Sequence, residues 1–143
     1  MSSRPAGSDG IVTFLLRAEG AATLGAAVLV WGAAGGNWLL FPLLLLVPDV
    51  SVIGYLRGPR VVAIAYNLVH NFVVPLMLAL AGWWYQIPWI FLAGSLLLAH
   101  VGLDRMLGYG LKYPTSFTDT HLGRIGRRRA ADAAEAAEAR DPA

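Results

Sequence analysis

The chain has 143 residues, of which 57% are hydrophobic and only 14% are charged. Soluble globular domains average about 25% charged residues, so this composition excludes an ordinary soluble domain and indicates a single small membrane domain. Because cysteine is absent, disulfides and thiolate metal sites are excluded, and a metal could be bound only by His, Asp or Glu. The net charge of +2 is small, and we expect no nucleic-acid partner.

Four apolar segments are long enough to cross a bilayer, which takes roughly 20 residues of helix. They follow a short polar segment over 1–10, which lacks the pattern of a cleaved signal peptide, and they cover about 11–31, 37–56, 61–83 and 87–107. Long Leu, Ala and Val runs without alternation favour helices over strands, and the short connections make sequential helices antiparallel. The predicted fold is therefore all-α, a polytopic membrane protein with four antiparallel transmembrane helices.

Two further segments follow the fourth helix. Residues 108–126 contain Gly, Pro, Thr and aromatic residues, which predicts an ordered loop at the cytoplasmic surface. Residues 127–143 begin with three arginines and continue as an Ala-rich stretch of mixed charge. We expect this stretch to be a flexible charged tail whose arginines meet anionic headgroups.

The positive residues predict the orientation of the helices. Lys and Arg occur before or early in the first helix, between the second and third helices, and after the fourth, whereas the other two connections have none. Those two connections are rimmed by tryptophan and tyrosine, which are enriched at membrane–water interfaces. By the positive-inside rule both termini are cytoplasmic, and we expect a multi-pass protein of the bacterial inner membrane.

Five acidic or histidine side chains lie inside the predicted helices. With a rise of about 1.5 Å per residue, each lies roughly 5–14 Å from the cytoplasmic end of its helix, and the outer halves of the helices have none. An ionisable group at the bilayer centre costs at least ~2.5–3.5 kcal/mol, so such residues indicate function by default. At least one comes from each helix, and they can meet at one level: Glu19, Asp49, His70, His100 and Asp104.

Each of these residues also has a simpler interpretation on its own. Glu19 could pair with an arginine of the connection 57–60 or extend to the surface. Asp104 could form a salt bridge at headgroup level. His70 could be a hydrogen-bonded packing residue, and Asp49 could cap a helix. Because all five lie in the same half of the membrane, we favour a shared polar pocket that faces the cytoplasm.

The pocket combines imidazoles with carboxylates, which are ligands of zinc and related divalent metals. The candidate metal ligands are His70, His100, Asp104 and His121. Glu19 and Asp49 are candidates for a general base or for a partner that orients the ligands. The candidate supporting residues are Tyr66, Asn67, Asn71 and Asp119. We therefore expect a divalent metal cofactor, zinc before others, although the chain lacks the H-E-x-x-H motif of zincins.

Three stretches resemble a family of small bacterial membrane proteins known only as a domain of unknown function: LLRAEG, LLFPLLLLVPDVSVIGYLRGPRVVAIAYNLVHN and AHVGLDRMLGYGLKYPTSFTDTHLGRIG. The resemblance covers about Leu15 to Gly126 and implies a four-helix membrane protein without an established activity. The chain is more faintly similar, in the type and placement of His and Asp, to inner-membrane metal-dependent hydrolases and the ceramidase-like group. Those families commonly pair histidines where this chain has His100 with Asp104.

Three functions stay open at this point. The first is an intramembrane metal-dependent hydrolase that acts on a lipid-like ester or amide from the cytoplasmic leaflet. The second is a transporter of ions, protons or small solutes, although a path across the membrane would need polar groups in the outer half as well. The third is a non-catalytic interaction protein whose polar groups fix the helix register. The expected partner is the bilayer, and a homo-oligomer could form through small residues such as Gly20, Gly25 and Gly32.

Overall fold

The computed structural model describes residues 8–50, 59–113 and 119–124 of the chain. These residues form five helices and a short hairpin: α1 (Ser8–Ala33), α2 (Phe41–Leu45), α3 (Pro59–Val69), α4 (Val73–Trp84), α5 (Pro88–Leu107), β1 (Asp119–Thr120) and β2 (Gly123–Arg124). Three stretches are apolar and long enough to cross a membrane: Gly10–Ala33, Ala63–Trp84 and Pro88–Leu107. The prediction of a small all-α polytopic membrane protein is confirmed.

Helix α5 is central, because both α1 and α4 pack against it. A Cβ at Gly102 of α5 would lie only 2.6 Å from the backbone nitrogen of Leu24 in α1. A Cβ at Gly94 would overlap the backbone of Ala79 in α4. Small residues at helix contacts are common in membranes, where lipid removes the hydrophobic drive between helices and close packing replaces it.

The three glycines considered for a homo-oligomer differ in their surroundings. Gly20 packs inside the chain against the backbone of Arg105 and Met106, and a Cβ at Gly32 would meet the ring of Trp38. A Cβ at Gly25 would have open space around it. Gly20 is therefore needed for the contact between α1 and α5 rather than for a second copy.

The second predicted helix differs most from the expectation. Instead of one helix over 37–56, the described part has the five-residue α2 followed by a 3₁₀ turn over 47–50. Pro48 has no N–H to continue the α-helix, and the next N–H, that of Asp49, bonds to Leu46 at 3.2 Å instead of Leu45. The carbonyl of Leu45 is thereby left for another donor. Residues 51–56 lie outside the described residues.

The third predicted helix is two helices, α3 and α4, joined by a bend at 70–72. Pro75 cannot donate to the carbonyl of Asn71, and its ring clashes with that carbonyl, so the helix cannot continue there. The Asn71 side chain supplies the lost bonds. Its Oδ1 accepts from the first two N–H groups of α4 (2.8 and 3.0 Å), and its Nδ2 donates to the carbonyls of Asn67 (2.8 Å) and Leu68 (2.7 Å). Broken helices at membrane depth are tolerated when their backbone groups are satisfied in this way.

Helix α5 ends at Leu107 and is capped by Gly108, which adopts the left-handed conformation with φ of 92°. The N–H groups of Gly108 and Tyr109 close the helix by donating to carbonyls of its last turn. The loop then returns to α3, and Lys112 bridges to Thr120 of the hairpin. The described parts of the predicted loop over 108–126 therefore pack on the bundle, whereas the tail over 127–143 lies outside the described residues.

Candidate metal centre

Four side chains from three parts of the chain meet near the bend. Asp49 follows α2, and His70 lies at the bend itself. His100 and Asp104 are one turn apart on α5. The Nε2 atoms of both histidines lie 3.6 Å from Oδ1 of Asp49 and 3.9 Å from Oδ2 of Asp104. The candidate ligand atoms of Asp49, His70 and His100 all lie within 4.8 Å of one another, so this group could hold a metal ion.

Both imidazoles are oriented by a hydrogen bond from their other ring nitrogen. The Nδ1–H of His70 donates to the carbonyl of Tyr66 at 2.9 Å, and the Nδ1–H of His100 donates to the carbonyl of Leu45 at 2.7 Å. Because a carbonyl oxygen only accepts, each neutral ring carries its proton on Nδ1 and has its lone pair on Nε2. Backbone carbonyls orient metal-ligating histidines in the same way.

The two Nε2 atoms are buried, and neither has a hydrogen-bond partner among the residues that the structure describes. A buried polar atom without a partner costs about 1–3 kcal/mol. Two ligand atoms of a tetrahedral zinc ion, each about 2.0–2.1 Å from it, are roughly 3.4 Å apart. The separations of 3.6 and 3.9 Å between Nε2 and the carboxylate oxygens are close to that value. The donor set therefore fits a divalent metal in its chemistry, and the ligand atoms of Asp49, His70 and His100 are close enough together to share one ion.

Tyr66 contacts both the histidine of the bend and the carboxylate of α5. Its hydroxyl donates to Oδ2 of Asp104 at 2.8 Å. Its ring stacks on that of His70, with 3.7 Å between the centroids and 10° between the planes. The spacing along the third helix predicted Tyr66 only as a supporting residue, and these contacts orient two members of the cluster at once.

Access to the cluster differs between its two carboxylates. His70, His100 and Asp104 are buried, whereas the side chain of Asp49 is half exposed. The chain around Asp49 presents exposed apolar residues: Leu46, Val47 and Val50. The cluster is therefore closed on the α5 side and open beside Asp49, next to an apolar surface.

Lys112 adds a positive charge at the edge of the cluster. Its backbone is fastened to Asn67, whose Nδ2 donates to the Lys112 carbonyl (2.9 Å) and whose Oδ1 accepts from the Lys112 N–H (2.7 Å). The Nζ atom lies 4.0 Å from the centre of the Tyr66 ring, a cation–π contact. Burial lowers the pKa of Lys112 to about 8, although the carboxylates of Asp104 and Asp49 act in the opposite direction. No spacing in the sequence indicates this lysine, because the loop reaches α3 across 45 residues.

Glu19 lies away from the cluster. It is exposed on α1, and its carbonyl accepts a hydrogen bond from the hydroxyl of Thr23 at 2.8 Å. The residue of this turn that faces α5 is the neighbouring Gly20, and successive residues of a helix point in different directions. Its possible pairing with an arginine of 57–60 falls on side chains outside the described residues.

His121 is bound within the loop. Its Nδ1 accepts from the N–H of Leu111 at 2.8 Å, and its own N–H donates to the Leu111 carbonyl at 3.1 Å. The structure does not bring its ring into the group of Asp49, His70 and His100. Asp119 belongs to β1, and its side chain lies outside the described residues.

The fold and the cluster define a class: a small polytopic all-α membrane protein with a His/His/Asp group that could hold a metal ion. The chain belongs to the family described as "Domain of unknown function (DUF4260)", whose model matches residues 13–125. No curated protein and no solved structure matches the chain. The matched range includes every residue of the cluster, and the resemblance to an uncharacterised family is confirmed.

Proposed function

We propose that this protein binds a divalent metal ion through Asp49, His70 and His100 and uses it to hydrolyse a lipid-like ester or amide. The proposal is supported by the two buried Nε2 atoms, which are fixed as acceptors and have no partner within the described part of the chain. Two histidines and one carboxylate form a ligand set of catalytic zinc, which keeps a position open for water. The same set occurs in iron(II) sites, so the metal analysis below also identifies the ion.

From the sequence alone, Asp104 is a candidate metal ligand and Asp49 a candidate general base or orienting partner, and the proposal exchanges these two roles. Asp49 becomes a ligand, because its Oδ1 is the nearer carboxylate atom to both Nε2 atoms. Asp104 becomes the general base, because its Oδ2 lies next to the group and is held by the Tyr66 hydroxyl. Glu19 and His121 have no part in the proposed chemistry.

Zinc in this group would activate water as a nucleophile and polarise the substrate carbonyl. Asp104 accepts a proton from the water, and the water oxygen bonds to the carbonyl carbon. The bond from that carbon to the leaving oxygen or nitrogen then breaks, and Asp104 returns the proton to the leaving group. One water molecule is consumed for each bond broken.

The depth of the cluster supports a lipid-like substrate. His100 is seven residues before Leu107, so it lies roughly 10 Å along α5 from that end. We assign this end to the cytoplasmic face of the bacterial inner membrane, with both termini inside, because lysine and arginine gather there. That depth is near the boundary of headgroups and acyl chains. The apolar surface beside Asp49 favours entry from the lipid over entry from water.

The metal site is tested by elemental analysis of detergent-purified protein, comparing wild type with His100→Ala. His121→Ala is the matched control, because this ring is bound in the loop. We expect about one equivalent of transition metal in wild type and in His121→Ala, and a loss of metal in His100→Ala. Wild type without a transition metal would refute the proposal, and metal kept by His100→Ala would exclude the ligand set.

Hydrolysis is tested on the metal-loaded protein with a fluorogenic long-chain acyl ester and the matching acyl amide in detergent micelles. We expect turnover that requires metal, disappears in His100→Ala and persists in His121→Ala. A metal-loaded protein without turnover would retain the metal site and exclude the hydrolase. Metal flux into proteoliposomes would in that case favour the transporter.

A further inference from the structure

Arg105 is a buried charged side chain that the proposed chemistry does not use. It follows Asp104 on α5 and is only 5% exposed. A buried guanidinium is costly unless its N–H groups find acceptors. Within the part of the chain that is described, its hydrogen bonds go to two backbone carbonyls.

The guanidinium joins three parts of the chain. Its Nη2 donates to the carbonyl of His70 at 3.0 Å, and its Nη1 donates to the carbonyl of Tyr109 at 2.6 Å. Its central carbon lies 5.8 Å from the centre of the Phe72 ring, within cation–π range. Arg105 therefore connects α5 to both the bend at 70–72 and the loop that follows α5.

The carbonyl of His70 is available to Arg105 because the helix is broken. In a continuous helix it would accept from the N–H of Val74. That N–H instead donates to Oδ1 of Asn71 at 3.0 Å, in the bend that Pro75 imposes. The break in the helix places His70 in the cluster. The same break leaves the His70 carbonyl free to accept the hydrogen bond from Arg105.

We propose that Arg105 is a positioning residue for His70, and that its bond to the His70 carbonyl holds the bend so that Nε2 faces Asp49 and His100. The proposal rests on the metal site and adds a residue outside its ligands. His70 is then fixed twice, at the ring by the Tyr66 carbonyl and at the backbone by Arg105. The planar fork of arginine can donate to two separate carbonyls, whereas lysine offers a single compact ammonium.

The test compares Arg105→Gln and Arg105→Lys with a matched control, Arg17→Gln. Arg17 also donates to a backbone carbonyl near the end of α5, that of Met106 at 2.8 Å, and its bond does not involve the bend. The first measurement is long-range ¹H–¹⁵N NMR of the metal-free protein labelled at histidine, in detergent micelles. It reports which ring nitrogen carries the proton.

In the wild type we expect the His70 ring to be protonated on Nδ1. In both Arg105 variants we expect the His70 signals to shift or broaden toward a mixture of tautomers, while the His100 signals stay in place. Arg17→Gln is expected to leave both rings unchanged. This readout requires no metal, so it is independent of the metal site itself.

The second measurement is the dissociation constant for Zn²⁺, determined by competition with a chelator. Loss of a group that orients a metal ligand typically weakens metal binding by about 10–100-fold. We expect a change of this size in Arg105→Gln, a smaller one in Arg105→Lys, and none in Arg17→Gln.

Unchanged His70 signals and an unchanged Zn²⁺ dissociation constant in folded Arg105→Gln would overturn the inference. If wild type binds no Zn²⁺ but the His70 signals respond to Arg105, the proposed function fails and the positioning role is supported. If Arg105→Gln does not fold, as judged by circular dichroism and gel filtration, Arg105→Lys keeps the positive charge and decides between the outcomes.

Discussion

The two halves of α5 meet their neighbours in different ways. In the first half the buried residues are small, and Gly94 lies against the backbone of α4. In the second half the buried residues include His100, Asp104 and Arg105. Because both halves belong to one continuous helix, the difference comes from the elements that face them.

The polar half packs on α1 through Gly102, and its polar side chains lie opposite irregular backbone. The end of α2 leaves the carbonyl of Leu45 for His100, and the bend at 70–72 leaves the carbonyl of His70 for Arg105. In an apolar environment such carbonyls need a donor, because no lipid group can satisfy them. The broken helices and the polar cluster are therefore two aspects of one arrangement, whereas the first half of α5 needs only close packing.

The largest effect is expected from two aspartates of the cluster, Asp104 on the polar half of α5 and Asp49, which follows α2. We expect Asp49→Asn to lose bound metal, because it replaces an anionic ligand with a neutral amide. We expect Asp104→Asn to keep the metal and lose hydrolysis by about 10²–10⁴-fold, because it removes the general base. The Tyr66 hydroxyl can still donate to an asparagine at 104, so the fold is preserved.

Metal content and turnover of the two variants are measured side by side with wild type. Metal lost from Asp104→Asn and kept by Asp49→Asn would show that the roles are reversed. Metal kept by both would contradict the assignment of a carboxylate ligand altogether.

A smaller effect is expected in the apolar half of α5. In Gly94→Ala the new Cβ would press against the backbone of Ala79 in α4. It would also lie 2.8 Å from the carbonyl oxygen of Pro75. Overpacking of this kind typically costs about 1–3 kcal/mol. Gly25→Ala is the matched control, since its Cβ meets nothing within 4 Å. We expect a lower melting temperature in detergent for Gly94→Ala than for Gly25→Ala, and equal values would exclude close packing at Gly94.

The sequence was sufficient to predict the four residues that meet in the structure, Asp49, His70, His100 and Asp104, but it could not exclude Glu19. Counting residues along each helix brought Glu19 to the same level as His70 and His100. A count gives the height of a residue along the helix and not the direction in which it points. The small residue beside it, Gly20, indicated the packed face of α1, and it turns Glu19 away from the cluster.

The end of α2 and the bend at 70–72 are each indicated by a proline, although both lie within long apolar runs. Pro75 four residues after Asn71 predicts a bend at that carbonyl, and Pro48 predicts the end of α2. The helix predicted over 87–107 corresponds to Pro88–Leu107, because this segment has no proline after its first turn and is followed by Gly108. The contacts of Lys112 could not be predicted, because they depend on where the loop after α5 returns.

The smallest effect is expected from Lys112, at the edge of the polar half. Its pKa is about 8 in the folded chain, below its ordinary value of 10.5, because the ammonium is buried. Between these two pH values the unfolded chain binds more protons than the folded one, so stability rises with pH. Below about pH 8 both states are protonated, and the lysine contributes a constant penalty.

Lys112→Met removes this pH dependence and the burial of an ammonium. We expect the melting temperature of wild type, relative to the variant, to increase between pH 7.5 and 9.5 in detergent. Lys112 is the only lysine of the chain, and tyrosines titrate in both proteins, so the difference isolates this group. If the difference in melting temperature between wild type and variant stays constant with pH, the Lys112 ammonium is exposed to water in the folded chain. The loop would then be docked on α3 less closely than the two Asn67 hydrogen bonds indicate.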